Sequence, residues 1–138
     1  MAGYSGTPLV KKLGIKEGFR VGLVYSPDGF AAELTPLSND VKIIEGRLPN
    51  SLDLILLFVD SQTILIREFP RMALKLANNG MLWIAWPKKA SGVATDLSDN
   101  SVRQIGLDAG LVDVKVCAVN EIWSGLKFVY RLKDRQAR

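Results

Sequence analysis

The sequence predicts an α/β fold: a small Rossmann-like, mainly parallel sheet of about six strands, with helices on both faces and a C-terminal antiparallel strand hairpin. Three observations support it. Short apolar runs of strand type alternate with helical patterns along the chain. The run Leu52–Val59 is apolar on both faces apart from Asp53, which is typical of a central parallel strand. The last two runs are too close together for a crossover, so they form a hairpin.

The strands are predicted from apolar runs that end at turn residues. They lie at 20–25, 41–44, 52–59, 81–86, 112–118 and 126–131. The fourth of these, Met81–Trp86, ends abruptly at a proline and two lysines and leads into a small-residue loop rich in hydroxyl groups. The turn of the final hairpin is placed at 120–125.

Helical patterns fill most of the remaining chain. They are predicted at 9–13, 30–34, 62–78 and 96–109. Pro70 lies inside the longest of them, so we expect a kink or a split there. Asn79-Gly80 is expected to supply a left-handed exit from this helix. Asp96 or Ser98 is the predicted cap of the last helix.

The 138 residues are enough for one domain with a substantial core. We therefore predict a single Rossmann-like domain over 1–138, with a short N-terminal helical arm at about 1–18 and a basic tail at about 132–138. No stretch resembles a signal peptide, and the apolar run Leu54–Val59 is too short to span a bilayer. A single cysteine, Cys117, excludes an internal disulfide and fits a reducing compartment. These features predict a cytoplasmic protein without a membrane partner.

The formal net charge of +4 is concentrated at the two ends of the chain. Residues 1–20 carry +3 and residues 131–138 carry another +3, whereas residues 21–130 carry −2. A nucleic-acid-binding protein normally presents a basic stripe on its folded face. The distribution of charge therefore argues against nucleic acid as a partner.

Histidine is absent from the sequence. Its absence removes the usual general base, the serine–histidine and cysteine–histidine nucleophile systems, and imidazole metal sites. Catalysis would have to use carboxylates, lysines, tyrosines or a cofactor. We predict no cofactor and no metal.

The order of elements is similar to the class I methyltransferase core, which also ends in a strand hairpin after its parallel strands. Leu13–Val21 resembles the lead-in to the first strand of that fold. The resemblance implies an adenosylmethionine cofactor whose ribose would be held by Glu45, at the end of the second strand. The chain departs from the family in two places. Ser26–Phe30 has one glycine where the family has a G-x-G loop, and one strand–helix unit is missing between Gly46 and Leu52.

A second resemblance covers nearly the whole chain. The segments Gly3–Leu9, Trp86–Gly92 and Trp123–Phe128 resemble the signatures of an uncharacterised bacterial family of domain-of-unknown-function proteins. This resemblance implies relatives for the chain but no activity.

Candidate site residues gather in five loops that follow the parallel strands. Ligands of open α/β sheets bind at the carboxyl ends of the strands, so these loops are expected to meet at one edge. The candidate ligand-binding residues are Ser26, Asp28, Gly29, Glu45, Asp60, Trp86, Lys88, Lys89, Ser91, Thr95, Glu121, Trp123 and Ser124.

Among them, Lys88 and Lys89 are the predicted anion-binding residues, helped by Ser91, Thr95 and the N–H groups of the following helix start. The alternative is that two lysines merely end a strand. Trp86 and Trp123 are predicted either to flank a planar ligand or to pack in the core.

Four carboxylates could supply acid–base groups or bind magnesium: Asp28, Asp60, Asp96 and Glu121. Asp60 and Asp96 are better explained as helix caps. Ser124 has no histidine partner for nucleophilic catalysis, and Cys117 is interpreted as a small packed residue.

The sequence leaves two functional hypotheses. The first is a non-catalytic or regulatory Rossmann-like module that binds a small anionic ligand or a protein partner at the carboxyl edge of its sheet. The second is a reduced methyltransferase-like enzyme that uses adenosylmethionine. Exposed edge strands would permit a homodimer, but the sequence does not predict one.

Overall fold

The computed structural model describes residues 7–135. Its strands are β1 (Arg20–Val24), β2 (Lys42–Glu45), β3 (Leu52–Phe58), β4 (Leu76–Pro87), β5 (Leu111–Ala118) and β6 (Trp123–Tyr130). Its α-helices are α1 (Leu9–Leu13), α2 (Gln62–Ala73), α3 (Asp99–Asp108) and α4 (Leu132–Arg135). Two short 3₁₀ helices lie at Phe30–Leu34 and Lys89–Ser91. None of these helices is long and apolar enough to cross a membrane.

The six strands form one sheet in the order β2–β1–β3–β4–β6–β5. The pairs β1–β2, β1–β3 and β3–β4 are parallel, whereas β6 is antiparallel to both β4 and β5. The predicted mainly parallel sheet with a C-terminal antiparallel hairpin is confirmed. Because β1 to β5 all run in one direction, their carboxyl ends share one edge of the sheet, and β2 and β5 are its outer strands.

Apolar layers cover both faces of the sheet. Ile55, Leu57 and Val59 pack with α2 and α3 on one face. Leu54 and Leu56 pack with α1 and the 3₁₀ helix Phe30–Leu34 on the other. The central strand β3 is therefore buried on both sides, as its sequence predicts. Each fully buried aliphatic side chain of this kind contributes about 1.5–3 kcal/mol.

The long helix ends earlier than its sequence pattern predicts. It stops at Ala73, includes Pro70 without splitting, and the chain enters β4 at Leu76. The helix ends early because the following residues pair with β3: the Leu52 N–H donates to the Lys75 carbonyl at 2.9 Å. The predicted left-handed exit at Asn79-Gly80 is also wrong. Gly80 lies inside β4, where an added Cβ would stand 2.8 Å from the Leu52 carbonyl oxygen.

The two long helices, α2 and α3, are each capped by a serine. Ser98 caps α3 through a reciprocal capping box with Ser101, so Ser98 rather than Asp96 is the cap of the two that were predicted. Asp96 does not cap α3. Its Oδ1 accepts from the Gln62 N–H of α2 at 2.8 Å, and the Gln62 side chain donates to the Asp96 carbonyl. The loop after β4 is thereby tied to the start of α2, whose own cap is Ser61.

A glycine sets the distance between α3 and the sheet. Gly106 is buried against Phe128, which packs edge-on against Phe69 with ring centroids 5.1 Å apart. A Cβ at Gly106 would overlap the Phe128 ring.

Gly106→Ala is therefore expected to lower the free energy of unfolding by about 1–3 kcal/mol in urea denaturation, despite the better helix propensity of alanine. The exposed Gln104→Ala is the control and should change it by less than about 0.5 kcal/mol. Equal stability of the two variants would contradict this packing.

Candidate functional site

Two of the cavities at the carboxyl edge of the sheet contain candidate residues from the sequence. The first, which we call the aromatic crevice, has a volume of about 360 Å³ and lies between the ends of β1 and β3, α2 and the start of β6. The second, the lysine cavity, also has a volume of about 360 Å³ and lies between the end of β4 and the first turn of α3. The aromatic crevice is lined by Tyr25, Phe58, Val59, Asp60, Ile64, Arg67 and Trp123. The lysine cavity includes Trp86, Lys88, Lys89, Asp99 and Ser124.

The two candidate tryptophans lie on opposite faces of the sheet. Trp86 pairs with Ser124 across β4 and β6, and its neighbour Pro87 pairs with Trp123. Because successive strand residues point to opposite faces, Trp86 packs beside α3 and Trp123 packs edge-on against Phe58, with centroids 5.0 Å apart. The predicted sandwich of a planar ligand between Trp86 and Trp123 is therefore wrong.

Tyr25 is the first residue after β1 and has a backbone φ of +57°. This region is strained for a bulky side chain. The residue is 58 % exposed and lines the aromatic crevice, while its hydroxyl donates to Glu68 Oε2 of α2 at 3.1 Å. Such strain persists only where the surroundings impose it, and it concentrates at ligand sites.

Glu68 is the only charged residue among the buried residues of the described chain, at 3 % exposure. Its Oε2 accepts from Tyr25, from Arg67 Nε at 3.0 Å and from Arg71 Nη1 at 3.4 Å. The hydrogen bond to Glu68 raises the pKa of Arg67. One buried carboxylate thus fixes a tyrosine and two arginines at the carboxyl edge.

The loop after β1 meets the end of β2 through a hydrogen bond. The Ser26 hydroxyl donates to Glu45 Oε1 at 3.1 Å, so these two candidates are brought together. Asp28 and Gly29 are exposed in the following turn and line neither of the two cavities. Gly29 has a φ of +79° and directly precedes the 3₁₀ helix Phe30–Leu34.

Both candidate lysines reach the lysine cavity with the first turn of α3, which is the arrangement predicted for anion binding. The two candidate hydroxyls have structural contacts instead. Ser91 donates to the Lys88 carbonyl at 2.7 Å, and Thr95 donates to the Asp60 carbonyl at 2.7 Å. Asp99 adds a carboxylate to the same cavity, which weakens it as an anion site.

The remaining candidates are divided among several places. Asp60 lines the aromatic crevice, Ser124 lines the lysine cavity, and Glu121 is exposed in the hairpin turn. That turn is shorter than predicted because β6 already begins at Trp123, whose N–H donates to the Asn120 side chain. Within residues 7–135, no group of three or more cysteine or acidic side chains is placed to hold a metal ion.

Cys117 is partly buried on the face of the sheet that carries α1. Burial raises the pKa of its thiol and outweighs the opposite effect of Lys12 and Lys115. A raised pKa leaves less thiolate at neutral pH.

Iodoacetamide should therefore alkylate Cys117 of the native protein at about pH 7.5 more slowly than that of the urea-unfolded chain. The alkylation rate of the native protein should also keep increasing as the pH is raised beyond the ordinary cysteine pKa of about 8.5. Equal rates for native and unfolded protein would contradict this.

Sequence reasoning missed the group formed by Tyr25, Arg67, Glu68 and Arg71. One signal was available for Glu68, because it lies three residues after Leu65 and four before Met72, on the apolar stripe of α2. A carboxylate on a core-facing stripe needs a hydrogen-bonding partner. That partner, Tyr25, lies 43 residues away in the sequence, and no local pattern indicates it.

Solved structures similar to this chain include several methyltransferases. A SAM-dependent methyltransferase from Aquifex aeolicus matches with a TM-score of 0.65 and 17 % identity, over 87 % of this chain and 86 % of the other. The fold is methyltransferase-like. The magnesium protoporphyrin IX methyltransferase of Synechocystis PCC 6803, solved with bound SAM, matches with a TM-score of 0.61 and 10 % identity, over 89 % of this chain and 74 % of the other.

A third methyltransferase-like neighbour is a riboflavin-derivative dimethyltransferase (RosA) from Streptomyces davawensis, with a TM-score of 0.62 and 13 % identity. The match covers 82 % of this chain and 50 % of that enzyme. No protein-family model and no curated protein matches the sequence. The resemblance to an uncharacterised bacterial family therefore stays a prediction.

The residues after β1 do not fit adenosylmethionine in the manner of a G-x-G loop. Such a loop lets the backbone approach the cofactor because glycine has no side chain. Here the turn presents the strained Tyr25, then Ser26 and Pro27, and the element that follows is a five-residue 3₁₀ helix. Glu45 stands at the end of β2 as the resemblance implies, but its carboxylate accepts from Ser26.

Proposed function

We propose that the protein is a cytoplasmic, non-catalytic module that binds a small anionic ligand with a planar ring in the aromatic crevice. The observation that carries the proposal is the strained, exposed Tyr25, which a buried carboxylate holds at the mouth of that crevice. A strained aromatic residue with a fixed hydroxyl is preorganised for a ligand, because its side chain loses little freedom on binding.

The chemistry of the crevice is complementary to a planar ring. Tyr25 and Trp123 supply aromatic surface, and Phe58, Val59 and Ile64 supply apolar contacts. Asp60 can accept a hydrogen bond from an amino or hydroxyl group. Arg67 adds a cation. Ligand sites of this type combine apolar walls with a few fixed polar groups.

A binding role without catalysis is supported by the side chains at this edge. The sequence has no histidine, and Asp96 is engaged with the start of α2. Ser124 lies in β6 opposite Trp86, and the sequence has no histidine to activate its hydroxyl. The partially buried Cys117 has a raised pKa, which disfavours the reactive thiolate.

The alternative is a reduced methyltransferase-like enzyme that uses adenosylmethionine. The similarity of fold and the position of Glu45 at the end of β2 favour it. The turn Tyr25–Pro27 argues against it for the reasons given above.

Isothermal titration calorimetry separates the two. Adenosine monophosphate combines a planar ring with an anionic group, so it should bind, whereas a hexose phosphate and adenosylmethionine should bind at least about tenfold more weakly. Binding of adenosylmethionine alone would favour the enzyme. Binding of none of the three would remove the small-ligand proposal and leave a protein partner.

A further inference from the structure

A third cavity adjoins the aromatic crevice and shares Tyr25 with it. Its volume is about 410 Å³, and it lies between the ends of β1 and β2 and the later turns of α2. We call it the arginine cavity, because Arg47 and Arg71 line it together with Lys75 and Glu68. No candidate residue from the sequence lies in it.

We infer that the arginine cavity is a phosphate-binding subsite, which takes the phosphoryl group of a ligand whose ring occupies the aromatic crevice. The position of the ring in this inference rests on the proposed function. The position of the phosphate rests on the residues that line the arginine cavity.

The charge in the cavity matches a phosphate dianion. Arg47, Arg71 and Lys75 carry three positive charges, and the buried Glu68 carries one negative charge, so the lining groups sum to +2. A phosphate monoester carries about −1.5 to −2 at neutral pH, whereas a carboxylate carries about −1. The sum therefore favours phosphate over a simple carboxylate.

Two of the donors in this cavity, on Arg71 and Lys75, are held by hydrogen bonds within the protein. Glu68 Oε2 accepts from Nη1 of Arg71, which leaves other donors of the planar guanidinium for an oxyanion. Lys75 Nζ donates to the Leu48 carbonyl at 3.0 Å, and an ammonium group has three donors. Burying a carboxylate costs free energy. A binding site whose arginines Glu68 positions would account for this cost.

The loop between β2 and β3 forms one wall of the arginine cavity. Gly46 turns the chain with a φ of +79°, and the buried Leu48 then packs directly on Gly22 of β1. An added Cβ at Gly22 would lie 2.9 Å from Leu48 Cδ1, so any larger residue there would force the Leu48 side chain to shift. Seating Leu48 places Arg47 beside the cavity and directs the Leu48 carbonyl to Lys75.

Arg47 is suited to a test because it is exposed and makes none of the ion pairs described for residues 7–135. Arg47→Gln should therefore fold normally. Its matched control is Lys42→Gln, which removes an exposed positive charge from the opposite end of β2. Lys89→Gln tests the lysine cavity as the rival anion site.

Phosphorus NMR titration of inorganic phosphate into the full chain measures phosphate binding in the absence of a ring-bearing ligand. We expect binding by the wild type, Lys42→Gln and Lys89→Gln. Arg47→Gln should bind at least about tenfold more weakly, because it loses one charge-assisted hydrogen bond. No phosphate binding by the wild type, or a loss in Lys89→Gln instead, would overturn the inference. A loss in Lys42→Gln as large as that in Arg47→Gln would overturn it too.

Adenosine titrated by calorimetry separates this inference from the proposed function. Phosphate binding that depends on Arg47, without adenosine binding, would support the subsite and remove the ring site. Adenosine binding without phosphate binding would support the ring site and overturn the subsite.

Discussion

Replacing Trp83 with alanine is expected to lower the free energy of unfolding by about 4–6 kcal/mol, the largest effect on stability that we predict for one substitution. Trp83 is fully buried in β4, and its indole Nε1 donates to the Leu13 carbonyl at 2.9 Å. Truncation of a buried tryptophan leaves a cavity, which costs about 3–5 kcal/mol. Loss of the indole donor also leaves the end of α1 without this hydrogen bond, which adds about 1 kcal/mol or more.

Urea denaturation of Trp83→Ala and Trp83→Phe separates these contributions. Phenylalanine keeps much of the volume and lacks the donor, so Trp83→Phe should lose about 1–3 kcal/mol. Since small domains are stable by only about 5–15 kcal/mol, the loss in the alanine variant is a large fraction of the total stability. A loss below about 1 kcal/mol in Trp83→Ala would contradict the anchoring of α1 by this side chain.

Tyr25→Gly is expected to weaken binding of adenosine monophosphate by at least about tenfold while leaving stability almost unchanged. Glycine removes the ring from the aromatic crevice and the hydroxyl from Glu68. It also relieves the strain at φ +57°, which is worth about 1–3 kcal/mol. This gain offsets the lost hydrogen bond, about 1 kcal/mol, and the extra backbone entropy of glycine, about 0.5–1 kcal/mol.

Calorimetry and thermal melting of Tyr25→Gly are compared with Tyr25→Phe, which retains the ring. Tyr25→Phe should keep ring binding but leave Glu68 with one donor fewer, so its melting temperature should fall. If Tyr25→Gly bound adenosine monophosphate as tightly as the wild type, the ring of Tyr25 would have no part in ligand binding.

The sequence was sufficient for the sheet and its carboxyl edge. Leu52–Val59 is apolar on both faces, and the final hairpin lacks the length for a crossover, so the central strand and the edge pair follow from local patterns. The gap between Gly46 and Leu52 likewise predicts a sheet that lacks one strand–helix unit, and β2 is an outer strand in the structure.

The end of α2 was not predictable, because Leu76 continues the apolar stripe of the helix. Only the pairing of Leu52 with Leu76, in another part of the chain, turns this segment into a strand. Long-range hydrogen bonds outweigh local propensity here.

The candidate site was only partly predictable. Lys88 and Lys89 line one cavity with the first turn of α3, and the order of the elements already indicates that this loop leads into α3. Their role in anion binding stays a prediction. The separation of Trp86 from Trp123 depends on the register of β6, which begins three residues earlier than its apolar pattern indicates. A one-residue change of register moves a side chain to the other face.

The three tryptophan side chains offer the most direct test of the aromatic crevice as the ligand site. Trp123 lines this crevice, Trp86 lines the lysine cavity, and Trp83 is fully buried as an internal reference. Two-dimensional NMR resolves their indole N–H signals during titration with adenosine monophosphate. We predict that the Trp123 signal moves in a saturable way while the Trp83 and Trp86 signals stay in place. Movement of the Trp86 signal alone, or of none of the three, would contradict the account.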